Sequence, residues 1–134
     1  MSIHLHNAAG NTFDLSGGHW AVYLTLAQAY GWKPRGTERP PALPASQPWS
    51  GQYASRDGQI VGDAEAKLLA QILHAAALSD KLGTALTDVI NNIEEQIVRA
   101  GTPIGDAMRM QPQDFKTEFS PLLKFLYQGR FIID

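Results

Sequence analysis

The chain has 134 residues, the modal size of one domain, so it can bury roughly two thirds of its unfolded surface in a single core, and one domain over 1–134 is expected. Its formal net charge of −2 with 18% charged residues offers no electrostatic case for nucleic acid or an anionic membrane. The absence of cysteine excludes disulfide staples, thiolate catalysis and sulfur-ligated zinc.

Residues 1–6 lack the basic flank and apolar run of a signal peptide, and no window approaches the ~20 apolar residues of a membrane span. The simplest expectation is a cytoplasmic bacterial protein with no membrane attachment, with toxin-like export by a signal-less route as the alternative.

Ile3 and Leu5 alternate with His4 and His6, and Phe13 and Leu15 alternate with Asp14, across a turn-rich stretch at 7–11. That period of two predicts a short hairpin with one buried face. A lone hairpin is marginal in water, so a third strand is needed, and Arg130, Phe131, Ile132 and Ile133 are the best candidate.

A helix is predicted over 18–30, capped by Ser16 or Asp14 and ended by Gly31. Trp20, Tyr23, Leu24 and Ala27 form one apolar line that Val22, Leu26 and Ala29 broaden, which makes this the central packing element.

Residues 33–50 carry five of the eight prolines (34, 40, 41, 44 and 48) and read as a polyproline-like surface loop, because proline fixes φ and donates nothing. Pro41 and Pro44 formally make a PxxP pair. Arg39 is misplaced for the usual proline-peptide grooves, so a stiff connection is the simpler reading.

The densest run of non-interchangeable residues follows. Asp57-Gly58 is a strong turn dipeptide, Ile60 and Val61 form a short extended segment, and Asp63 stands where an N-cap should, with Glu65 in the first turn. Ala64, Leu68, Leu69, Ile72, Leu73 and Ala76 then recur at helical spacing.

A third helix is predicted over 84–100 with Thr84 as cap, facing Leu86, Val89, Ile90, Ile93 and Ile97 inward and an acidic face outward to water. Residues 102–111 read as a loop with one helical turn at most, and Met108 and Met110 with Phe115 are read as core filler in preference to the wall of a ligand groove. Phe115, Phe119, Leu122, Leu123 and Leu126 mark a last helix, stopped by Gly129 and broken or kinked at Pro121.

Tyr53, Ser55, Asp57, Gly58, Gln59, Val61, Asp63, Ala64, Ala66, Leu69, Ala70 and Leu73, flanked by Gly31-Trp32-Lys33-Pro34 and Gly129-Arg130-Phe131-Ile132, resemble a pattern in small uncharacterised bacterial proteins. The chain departs from it in Arg56, where asparagine is expected, and in a longer insertion around 38–48. The resemblance implies an order of elements and carries no activity. The expected fold is α+β and helix-rich: a small antiparallel sheet of N-terminal hairpin plus C-terminal strand, packed against about four helices.

The chemical motifs are weak. His4, His6 and His19 could supply three nitrogens to a metal, yet a strand His-x-His is more simply a solvated face, so no metal and no cofactor are expected. Setting Gly58 at the sixth position of a calcium loop puts Tyr53 and Ala64 where carboxylates are required. Ser55, His19 and Asp57 can be written as a triad, but no nucleophile elbow surrounds the serine. Asp57 with Asp63 or Glu65 is explained by a turn and a helix start.

Two functions stand in contention. The first is a small binding protein, of the immunity or toxin-neutralising kind, that meets a protein partner through Trp49, Tyr53, Ser55, Arg56, Asp57 and Asp63, since aromatic and arginine side chains dominate binding hot spots. The second is a small enzyme or ligand-binding domain with a cleft near His19, Arg56 and Asp57. Exposed aromatics at 49–63 favour the first; convergence of those three side chains favours the second. Trp49 and Tyr53 fully buried, with Arg56 paired to Asp57 or Asp63, would make the corner a clamp for the fold.

Overall fold

A computed structural model describes residues 2–79, 81–99 and 112–134. In chain order the elements are β1 (Ser2–Asn7), β2 (Thr12–Ser16), α1 (Gly17–Ala29), β3 (Gln59–Val61), α2 (Asp63–Ala77), α3 (Leu82–Arg99), α4 (Pro112–Leu126) and β4 (Phe131–Ile133). This is the helix-rich α+β architecture that the pattern predicts. The reading of Met108 and Met110 lies outside the described residues.

The sheet is antiparallel, in the order β2-β1-β4-β3. Ile3 faces Leu15 and Leu5 faces Phe13 across the hairpin, so the alternating apolar residues share one face. The turn is held by Asn7, whose side-chain oxygen accepts from the N–H groups of Ala9 and Asn11 at 3.1 and 3.0 Å. β4 lies beside β1 with Leu5 opposite Ile133, as the third strand should.

The fourth strand is β3, which pairs with β4 through Ile60 opposite Ile132. Its outer side bonds to Glu38, with N–H to O distances of 2.8 and 3.2 Å. The proline-rich excursion is thereby stitched to the sheet edge. Past that point it folds back in two turns, Leu43 to Pro40 and Gln47 to Pro44, and the Arg39 guanidinium donates to the carbonyls of Pro44 and Gln47. The expected polyproline-like course is replaced by these turns, because an arginine with five donors gathers carbonyls that proline neighbours cannot pair.

α1 is buried around most of its circumference: Trp20, Val22, Tyr23, Leu24, Leu26 and Ala27 are all enclosed. Ser16 caps it, accepting from the His19 N–H at 3.0 Å. It touches β1, β2, α2 and α3, which explains why apolar residues occur on every side of it.

Asp63 is the first residue of α2, not its cap; Gly62 holds the cap position without a side-chain bond. The Asp63 carboxylate instead pairs with Lys67 at 3.1 Å and occupies the space where a Cβ on Gly129 would stand. Gly129 has φ near 101°, so only glycine meets both demands at that turn. The buried stripe of α2 is Ala66, Leu69, Ala70, Leu73 and Ala76, while Ala64 is exposed and Leu68 and Ile72 are half-buried. The small residues face inward because α2 packs against both α1 and α4.

α3 begins at Leu82, two residues before the expected cap, and buries Leu86, Val89 and Ile90. α4 runs through Pro121 without a break. Pro121 lies on the exposed side, and Phe115, Phe119, Leu122, Phe125 and Leu126 hold the opposite side in the core. Tertiary packing outweighs the hydrogen bond that proline removes.

Candidate functional site

The corner at 49–63 is organised by a residue that carries no charge and no ring. Gln59 is fully buried at the start of β3. Its amide nitrogen donates to the Ser55 carbonyl at 2.7 Å, the Ser55 hydroxyl at 3.1 Å and the Gln52 carbonyl at 3.3 Å, and its oxygen accepts from the Asp57 N–H at 2.9 Å. One side chain thus satisfies the backbone of a loop with no secondary structure of its own. Gly58, at φ near 82°, completes the reversal and donates its N–H to the Ile133 carbonyl at 2.8 Å.

The two aromatic anchors turn inward. Tyr53 is 7% exposed, accepts from the Gly36 N–H at 3.1 Å, packs edge-on to Trp32 at 5.1 Å, and offers its carbonyl to the Trp20 indole N–H at 2.8 Å. Burial raises the pKa of its hydroxyl, and the Glu65 carboxylate adds to the rise. Trp49 is half-buried and donates to the carbonyl and hydroxyl of Thr37 at 3.1 and 3.2 Å. Ser55 is half-buried on Gln59, while Arg56, Asp57 and Asp63 are exposed, Arg56 reaching the Ser2 carbonyl at 2.5 Å. Tyr53 and Gln59 thus tie the loop to α1 and to β3, while Trp49 stays half-buried and Arg56 bonds to Ser2 and not to Asp57 or Asp63, which leaves three charged groups on the outside of the corner.

His19, Arg56 and Asp57 bind different neighbours. His19 donates from Nδ1 to Glu118 Oε1 at 3.0 Å, and Tyr23 donates its hydroxyl to the same oxygen at 2.8 Å, joining α1 to α4. Burial pushes the Glu118 carboxyl up, but the hydrogen bonds from His19 and Tyr23 and the His19 charge outweigh it and hold the carboxyl below its ordinary value of 4.5. Burial, then the hydrogen bond and the charge of Glu118, push the Tyr23 hydroxyl far up. Glu118 was invisible as a partner in the sequence, although its place between Phe115 and Phe119 on one helix face carries the signal.

His4 and His6 stand on the open face of the sheet beside Asp14 at 2.7 Å and Asp134 at 3.7 Å. Among the described residues no three histidine, aspartate or glutamate side chains group as a metal site.

A third feature is a groove of about 360 Å³ where the end of α2, the start of α3 and the middle of α4 meet. Leu82, Leu86, Phe115, Phe119 and Leu123 form its body, and Leu78, 76% exposed, stands on its rim. His74 and Ser120 are the polar residues of its lining. Phe115 is shared with the buried network, its ring 4.5 Å from that of His19. The sequence reading set a groove at Phe115 aside in favour of core filler, because the walls belong to three helices whose separate stripes each read as ordinary core.

No family model, curated protein or solved structure matches the chain. Among the described residues no helix is long and apolar enough to cross a membrane. The fold and its surfaces thus define the class, a helix-rich α+β domain.

Proposed function

We propose that this protein is a small binding module that takes a small apolar ligand in the groove between α2, α3 and α4. The observation that carries this reading is the groove itself: its 360 Å³ falls within the range of small-molecule sites, and it combines apolar walls with a few polar groups. Leu78 strengthens it, because a leucine left 76% exposed at the mouth of an apolar cavity forfeits burial that an occupant would restore.

The test is titration with a fluorescent apolar dye. The wild-type protein brightens the dye saturably. Leu78→Asp, at an exposed position that leaves the core intact, weakens the response, and Leu86→Trp, which fills the cavity, abolishes it. Equal dye binding by all three proteins would remove the groove from the account.

A second reading keeps the protein-binding role for the 49–63 corner. It is favoured by the exposed charges of Arg56, Asp57 and Asp63 on a corner that its hydrogen bonds hold in place. Its aromatic anchors are spent on the fold, so the contact would be electrostatic in character and salt-sensitive.

A further inference from the structure

We propose that Asp57 is a modification site at which the chain isomerises its own backbone to isoaspartate, and that hydrogen bonds to Gln59 and Ile133 keep the site closed in the folded protein. The inference is independent of the groove.

Reactivity comes from the sequence. Asp57-Gly58 is the one place in the chain where an aspartate or asparagine precedes a glycine. With no Cβ on the second residue, its amide nitrogen approaches the neighbouring carboxyl unhindered. That nitrogen attacks Cγ of the protonated Asp57 carboxyl and gives up its proton to solvent. The N–Cγ bond forms, the Cγ–OH bond breaks and water leaves, closing a succinimide ring. Water then adds at the Asp57 main-chain carbonyl and breaks its bond to nitrogen, so the chain runs on through Cβ. One water leaves and one returns, and nothing is oxidised or reduced.

The fold presents the carboxyl and withholds the nitrogen. Asp57 is exposed, so solvent reaches its side chain. The Gly58 N–H, by contrast, donates to the Ile133 carbonyl at 2.8 Å, next to the Gln59–Ile133 pair of the β3–β4 ladder. The Asp57 N–H donates to Gln59 Oε1 at 2.9 Å, and the Gln59 side chain is fully buried. Both residues of the reacting pair are thus held by their backbone, and ring closure waits for the corner to open locally. Two net hydrogen bonds place the open form roughly ten- to a hundredfold below the closed one. Isoaspartate at 57 therefore records the time that the corner has spent open.

The full chain, folded and in denaturing urea, is incubated in warm, mildly acidic heavy-oxygen water and then digested with trypsin in ordinary water. Cuts after Arg56 and Lys67 free residues 57–67. Each passage through the ring takes one oxygen from solvent, which mass spectrometry counts, and isoaspartate elutes apart from aspartate. Fragment ions separate Asp57 from Asp63, which starts α2 and precedes Ala64. Label is expected at Asp57, about tenfold or more slower in the folded chain than in the denatured one. Gln59→Leu, folded by circular dichroism, is expected to label about three- to tenfold faster than wild type, the worth of one net hydrogen bond. Wild type in urea below its unfolding midpoint makes the same comparison without a substitution, and its rate is expected to rise ahead of global unfolding. Equal rates in the folded and denatured chains would overturn the lock. No label at Asp57 in the denatured chain would overturn the site. A folded Gln59→Leu that labels at the wild-type rate would overturn the part given to Gln59, and a wild-type rate unmoved by urea until the chain unfolds would overturn local opening.

Discussion

Two residues show how much of this molecule hangs on polar side chains that face inward. Gln59 satisfies four loop atoms from a fully buried position. Gln59→Leu keeps the volume and strips the bonds, and it should destabilise the protein by about 2–4 kcal/mol, read as a lowered denaturant midpoint at constant slope. Glu118 makes a different prediction, because its carboxyl is held below its ordinary value of 4.5. In mildly acidic solution the unfolded chain therefore binds the proton that the folded chain refuses, so this group's stabilisation is full above that value and is lost as pH falls through the lowered one. Glu118→Gln should flatten that part of the stability curve below neutrality, measured by chemical denaturation at a series of pH values. Neither role was legible in the sequence, for one physical reason. A glutamine ahead of Ile60 and Val61 and a glutamate between two phenylalanines look like surface residues until the partners that desolvate them are known.

The elements were more legible than their ends. Hairpin, central helix and closing strand follow from alternation and helical spacing, which survive any tertiary arrangement. Boundaries failed where tertiary contacts override local signals. Asp63 has the chemistry of a cap, yet it serves as the first residue of α2 over Gly129. The apolar stripe of α2 is centred on its alanines because two helices approach it closely. Pro121 has the chemistry of a stop, yet α4 continues because its far side is buried. Pro121→Ala should therefore stabilise the protein, by about 1–3 kcal/mol, since it restores an N–H to the Thr117 carbonyl and removes the ring clash without touching the core. A higher melting temperature is the expected result, and a lower one would show that the proline is accommodated without cost. β3 belongs to the same lesson: three residues are too few for a periodic signal, and only pairing with β4 and Glu38 makes them a strand.

At the scale of the whole molecule, the corner and the groove divide the work. The corner ties the long loop to β3, β4 and α1 and spends its aromatic side chains in doing so. Between them α2, α3 and α4 leave an apolar space that no element fills among the described residues. Such a space costs stability when empty, since its walls forfeit contacts on one side. An occupant should accordingly raise the melting temperature, in proportion to the logarithm of its concentration above its dissociation constant. The most direct measurement is leucine-methyl NMR of the full chain during titration with the apolar dye. The account predicts saturable shifts confined to Leu78, Leu82, Leu86 and Leu123, with Leu5 and Leu15 beneath the sheet unmoved. Shifts centred on Leu5 and Leu15, or none at saturating ligand, would contradict it.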